Sequence, residues 1–256
     1  MRELWFTGDR TKLFVVEDGA GRPVVMLHGG LADHTAAWGL VAPLAARFRV
    51  VAPDLRASGK SWDARPLSWN RLADDLAALL DRLEAPRAVV GGVSGGTGVA
   101  LRFALRRPER VAGLVMAMPV YAGAQRGLTE VQRMAFGLAD ALGRRAPAEG
   151  VDVLRPLYGN LPPEMRDQAL AMLDGFDAGS IAATTAFLAA GAQPFDDFAE
   201  LRALAVPTLL QPGGDDLHPA AVAALYAKAI PGCRTLAPGA DFAAALADFC
   251  DHDAQW

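Results

Sequence analysis

From Pro23 onward the chain alternates short apolar runs with amphipathic stretches of helical period, and few folds accept that order. It predicts βα units laid side by side in a mostly parallel sheet with helices on its faces. The expected strands are Val24 to His28, Arg49 to Pro53, Arg87 to Gly92, Val111 to Met118, Val206 to Gln211 and Arg234 to Ala237. Helices are expected from Ala37 to Arg47, Trp69 to Leu83, Gly95 to Arg107, Pro219 to Ile230 and Asp241 to Cys250. In the second of these Leu72, Leu76, Leu79, Leu80 and Leu83 fall on one face. Residues 2 to 17 supply an antiparallel pair at the sheet edge. From about Val120 to Glu200 strand signals cease, and Gly and Pro punctuate helices at Leu128 to Leu142, Pro163 to Leu173 and Gly179 to Ala190. The expected organisation is a core of residues 1–119 and 201–256 with a helical cap, residues 120–200, inserted between its halves.

A chain of 256 residues can bury one large core, and a hydrophobic fraction of 52% with 21% charged residues places it among globular proteins. The net charge of −4 is spread along the chain, with no basic stripe for phosphate, so nucleic acid is not an expected partner. The N-terminal MRELWFTGDR has no apolar h-region, and no apolar run reaches the ~20 residues of a membrane span, so a cytoplasmic location and no membrane association are expected. Cys233 and Cys250 lack C-x-x-C spacing and read as buried, reduced thiols.

Gly92-Val93-Ser94-Gly95-Gly96 lies between an expected strand and helix and fits G-x-S-x-G, a turn that lifts a serine hydroxyl above a sheet beside a helix N-terminus. The plainer reading is a Gly-rich turn whose serine caps the helix. A second feature weighs against it: the apolar strand that ends in His28-Gly29-Gly30-Leu31.

Taken together, VVMLHGG, VVAPDLRASGKS, VVGGVSGGTGVALRFALRRPERVAGLVMA and VPTLLQPGGDD resemble the α/β-hydrolase family of esterases, lactonases, perhydrolases and carbon–carbon bond hydrolases. The resemblance covers Pro23 to Pro119 and Val206 to Cys250 and implies an α/β-hydrolase sheet flanked by helices. It implies Ser94 as nucleophile, with the N–H groups of Gly95 and of Gly30 or Leu31 as an oxyanion hole. His28 has the place of a structural histidine in that family. The loop from Pro53 to Ser61 resembles the family's P-D-x-R-G-x-G-x-S, with Ala57 where glycine is usual, and reads as scaffold. A serine at the elbow excludes the dehalogenase and epoxide-hydrolase branches, which use aspartate there.

The acid should follow the strand Val206 to Gln211, where Gly213-Gly214-Asp215-Asp216 resembles G-x-x-D and favours Asp216, with Asp215 next. The base is the difficulty, because relatives carry a histidine after the last strand, and here Pro238-Gly239-Ala240-Asp241-Phe242 runs straight into the closing helix. Asp241 stands near the histidine's place. His34 sits at the rim of its helix, and His252 ends a helix of ~15 Å that starts on the active-site side. His218 is on the correct edge and can reach Ser94 only by an unusual loop path. Its plain reading is a polar residue opening the next helix before Pro219.

The sequence therefore predicts a serine hydrolase for a small hydrophobic ester, lactone or thioester, working through an acyl-Ser94 intermediate with an unusual or impaired base. The competing reading is a binding protein of hydrolase descent. Met134, Phe136, Met165, Met172, Phe176, Phe187, Leu188 and Phe195 supply an apolar cap. No His/Asp/Glu cluster has metal-ligand spacing and the Gly-rich turn lacks G-x-G-x-x-G, so no metal or other cofactor is expected.

Overall fold

The computed structural model describes residues 1–159 and 161–256; the Met165 side chain lies outside the described residues. Among the described residues eight strands form one sheet in the order β1-β2-β4-β3-β5-β6-β7-β8. The edge hairpin β1 (Arg2–Gly8) and β2 (Thr11–Asp18) is antiparallel. The remaining strands run parallel to one another: β3 (Pro23–Leu27), β4 (Arg49–Pro53), β5 (Ala88–Val93), β6 (Val111–Ala117), β7 (Thr208–Gln211) and β8 (Arg234–Thr235). Central strands are apolar on both faces because both are covered, as a parallel sheet requires.

Side-chain alternation along the strands sorts the core into two layers. Val25, Leu27, Val90, Leu114 and Met116 pack with α2 (Trp69–Arg82), α3 (Gly95–Arg106) and α8 (Ala220–Ala229). Val24, Met26, Val89, Val115 and Ala117 pack on the other side with α1 (His34–Val41) and α9 (Phe242–His252). The leucine face expected on α2 is buried throughout. The first expected helix is shorter than its apolar pattern: after Val41 the chain tightens into a 3-10 turn, Ala42–Ala46, with Pro43 in its first turn. β8 is similarly cut to two residues, although the Leu236 N–H still reaches the Leu210 carbonyl at 2.8 Å.

Between β6 and β7 come α4 (Glu130–Gly143), α5 (Ala146–Glu149), a 3-10 segment Val151–Tyr158, α6 (Pro163–Leu173) and α7 (Ala178–Ala189). α4 starts at a reciprocal capping box between Thr129 and Gln132, and α7 at the Asp177 carboxylate, which accepts the Ser180 N–H. Leu154, Tyr158, Leu173, Phe176 and Ile181 give this segment a small core of its own. Cys250 is buried as expected, but Cys233 is half-buried; burial pushes their thiols up to about 12 and about 11. Among the described residues no helix is long and apolar enough to cross a membrane.

The loop after β4 is scaffold in fact as well as in expectation. The buried Arg56 guanidinium holds Asp75 of α2 and Asp63, each at 2.5 Å, and donates to the Gly8 carbonyl at 2.6 Å. Ala57 takes φ 64°, the left-handed conformation that makes glycine the common residue there.

Candidate active site

Ser94 joins β5 to α3 with φ 52° and ψ −118°, a strained backbone for a residue with a side chain. The turn is this tight because a Cβ on Gly92 would lie 2.1 Å from the Gly96 carbonyl carbon, and one on Gly96 would lie 2.5 Å from the His28 carbonyl oxygen. The helix-capping reading of Ser94 fails, since its side chain makes no cap bond. Its hydroxyl lies 2.9 Å from Nε2 of His218 instead.

His218, the candidate base on the correct edge, thus meets the serine although no histidine follows the last strand in the family's usual place, and the unusual loop path it required is present after β7. Asp215 accepts the N–H groups of Leu217 and His218 at 2.9 and 2.8 Å, folding the loop into a turn that returns the His218 ring onto its own carboxylate. The ring Nδ1 lies 2.9 Å from both Asp215 oxygens. With Nδ1 protonated toward the carboxylate, Nε2 is left to accept the Ser94 hydroxyl. Asp216, favoured by spacing, is exposed one step along the same turn, and the carboxylate against the imidazole is that of Asp215. Burial alone would raise the Asp215 carboxyl. Hydrogen bonds from the His218 ring and amide and from the Leu217 amide outweigh it and hold the group below the usual carboxylate range.

Gly213 makes the return possible. A Cβ there would lie 2.3 Å from the His218 carbonyl oxygen and 2.4 Å from the His218 Cβ, so the histidine packs on bare backbone. Two cues in the sequence point to this loop: a glycine with no side chain to spare, and an aspartate three residues before a histidine.

The other titratable candidates are engaged elsewhere. Asp241 caps α9 through the Ala244 N–H at 3.1 Å. His28 is buried, with Nδ1 2.7 Å from the Gly29 carbonyl and Nε2 accepting the Leu55 N–H at 2.9 Å, so it ties the strand end to the next loop as a neutral ring. His34 opens α1 against Asp54 at 2.7 Å, and His252 ends α9 beside the Asp248 carbonyl. Asp33, His34 and Asp54 bring one potential ligand atom each within 4.8 Å, but the Asp33 carboxylate caps α1 and Asp54 takes the His34 ring and the His34 and Lys60 N–H groups.

Facing the hydroxyl is the loop Gly29–Leu31. A Cβ on Gly29 would lie 3.7 Å from the Ser94 Oγ, and one on Gly95 would lie 3.3 Å from the Gly30 nitrogen. Gly95 is the first residue of α3, where an N–H has no partner within its helix. Leu31 takes φ 54°, and its carbonyl accepts the Tyr158 hydroxyl at 3.1 Å. Burial pushes the Tyr158 phenol up to about 12, which keeps it a neutral donor.

A cavity of about 330 Å³ opens over Ser94 and His218. Gly30, Leu31 and Gly95 form part of its floor, and Phe136, Ala139, Leu157, Tyr158, Leu161 and Leu188 wall it from the helical segment. A hydroxyl bonded to an imidazole that is itself held by a carboxylate, under an apolar roof, can be deprotonated as it attacks a carbonyl carbon.

Comparison with known proteins agrees with this fold. The profile of the family described as alpha/beta hydrolase fold matches residues 22–172. The 2-hydroxymuconate semialdehyde hydrolase of Pseudomonas sp. (strain CF600) is 42% identical over 120 residues, which is 45% of this chain and 42% of that protein. The chain therefore matches less than half the length of that curated relative. Among solved structures, a thermophilic esterase from Thermogutta terrifontis superposes with a TM-score of 0.74 at 26% identity, covering 92% of this chain and 89% of that one. A hydrolase from Pseudomonas aeruginosa PA01 gives a TM-score of 0.78 at 25% identity, covering 97% and 98%.

Proposed function

The chain belongs to the alpha/beta hydrolase fold family, and from that premise we propose that it is a serine hydrolase acting on small, uncharged hydrophobic esters, lactones or thioesters. The observation that carries the reading is the 2.9 Å contact between the Ser94 hydroxyl and His218 Nε2. In this mechanism Ser94 Oγ attacks the substrate carbonyl carbon while His218 Nε2 takes its proton and Asp215 stabilises the imidazolium. The oxyanion rests against the N–H groups of Gly95 and Gly30, at the helix N-terminus, where each donor is worth about 3 kcal/mol. Collapse breaks the bond to the leaving alkoxide or thiolate, which takes the proton from His218. Water then attacks acyl-Ser94, giving its proton to His218, and Ser94 regains it as the acid departs.

The substrate class follows from the cavity, with the helical segment serving as its cap. No aspartate, glutamate, lysine or arginine lines the cavity among the described residues, so no acidic or basic side chain of those kinds offsets the desolvation of a substrate charge. The esterase among the structural relatives fits this reading. The competing view, a binding protein that lost its base, drew its support from the missing histidine after the last strand, and His218 removes that support.

The test is labelling by a fluorophosphonate probe beside hydrolysis of p-nitrophenyl acetate and butyrate, with Ser94→Ala as control. Labelling and turnover that vanish in the variant support the reading. A folded protein that neither labels nor turns over any ester, lactone or thioester of this size overturns it.

A further inference from the structure

We propose that Gln132, on α4 of the helical segment, is a positioning residue for His218, an inference that rests on the reading of Ser94 and His218 as nucleophile and base. Gln132 is 1% exposed, and every polar atom of its side chain is committed. Oε1 accepts the Thr129 N–H at 2.9 Å as part of the capping box. Nε2 donates to the Val120 carbonyl at 3.0 Å and to the Leu217 carbonyl at 2.9 Å. The orientation of the amide is fixed by these partners, since the reverse would set an oxygen against two carbonyls and an NH2 against an N–H.

The Leu217 carbonyl belongs to the peptide group that leads into His218. The same peptide's N–H, that of His218, is held by the Asp215 carboxylate at 2.8 Å. The peptide plane is therefore gripped at both edges, by Asp215 on one side and by Gln132 on the other. Gly213 leaves room beneath it without fixing it. The Asp215 carboxylate is 60% exposed, so on that side the grip stands in water, and Gln132 is the buried anchor. The second carbonyl it holds, that of Val120, belongs to a residue that lines the same cavity as Ser94. One amide thus ties the histidine loop to the chain leaving β6, and does so from the segment that covers the site. A fixed imidazole matters because displacement of a reacting group by about 1 Å costs about 100-fold in rate.

Three variants separate positioning from helix capping. Gln132→Met keeps the length of the side chain and removes both donated bonds. Gln132→Glu keeps the acceptor for Thr129 and removes at least one of them. Thr129→Ala weakens the cap while leaving the amide in place. The expected result is a fall of about 10- to 100-fold in kcat for p-nitrophenyl butyrate and in fluorophosphonate labelling rate for both Gln132 variants, with KM changed by less than about threefold. Thr129→Ala should lower Tm and leave kcat unchanged. The His218 Nδ1 proton, observed directly by NMR in the unlabelled protein, should show its downfield signal in the wild type and lose it or broaden it in Gln132→Met.

If the wild type neither labels nor turns over, the reading of Ser94 fails, and the NMR signal alone decides the role of Gln132. If the Gln132 variants behave as Thr129→Ala does, losing stability while keeping kcat and the His218 signal, the positioning role is wrong. Should Gln132→Met fail to fold, Gln132→Glu and the same two readouts decide.

Discussion

Asp215 and His218, three residues apart in one loop, face each other with ring Nδ1 2.9 Å from both carboxylate oxygens. The proposed acid and base therefore travel on a single turn. The carboxylate shapes that turn through the Leu217 and His218 amides and orients the ring that the turn carries.

Because Asp215 has both tasks, its amide variant should be far worse than that of its neighbour. Asp215→Asn keeps an acceptor for the backbone but allows the wrong imidazole tautomer, and should cost roughly 100- to 10,000-fold in kcat/KM. Asp216→Asn should stay within about twofold, as expected for an exposed side chain away from the contact. Steady-state kinetics on p-nitrophenyl butyrate measure both, and equal losses would remove Asp215 from its role.

The two glycines before that aspartate should also differ. Alanine at Gly213 meets the His218 carbonyl oxygen at 2.3 Å and must push the histidine loop away, whereas at Gly214 it meets nothing within 4 Å. Gly213→Ala should lower kcat by about 100-fold. Gly214→Ala should keep wild-type kcat, and fluorophosphonate labelling of both variants checks the pair.

Much of this site was legible in the sequence because tight backbone geometry leaves a mark in residue choice. The elbow needed glycine at 92 and 96, the loop after β3 offered His28-Gly29-Gly30, and both could be read without coordinates. The doubly wound order was legible for the same reason, since central strands buried on both faces read as continuous apolar runs. The base was not. Its identity depends on which way a five-residue turn folds, and that is decided by the Asp215 bonds to two amides and by the buried amide of Gln132, which is 85 residues away from Leu217 in sequence. Spacing alone favoured Asp216 because family spacing assumes a histidine arriving from the last strand. Here it arrives from the same loop, and the carboxylate that meets it shifts by one residue.

Stability should carry a pH signature from His34 and Asp54, which join the start of α1 to the loop after β4. Burial would lower the His34 value, but the Asp54 bond and charge outweigh it and raise it above the ordinary 6.5. Burial would raise the Asp54 value, and the His34 bond reverses that and takes it below 3.8. The charged His34 contributes stability that is full below its unfolded value and is lost as pH rises through the raised folded value. Asp54 contributes stability present above its unfolded value and lost as pH falls through the lowered one. His34→Asn, which cannot ionise, should therefore trail the wild type most at about pH 5 to 6 and by less in alkaline solution. Thermal melts across that range measure the gap, and a gap that widened with rising pH would contradict the ionic pairing.

Substrate charge offers the sharpest test of the cavity. A butyryl chain that enters between Phe136, Leu157 and Leu188 exchanges water for apolar contact. An acyl chain of similar length ending in a carboxylate must shed its hydration against the same side chains, and no lysine or arginine among the described lining residues meets it. The mono-p-nitrophenyl ester of succinic acid should thus be hydrolysed with kcat/KM lower by about 100-fold than the butyrate ester, the loss appearing mainly in KM. Leu161→Arg, which brings a guanidinium to the wall, should narrow that difference by raising the rate on the succinate ester. Equal rates on the two esters in the wild type would mean that the acyl chain does not occupy this cavity.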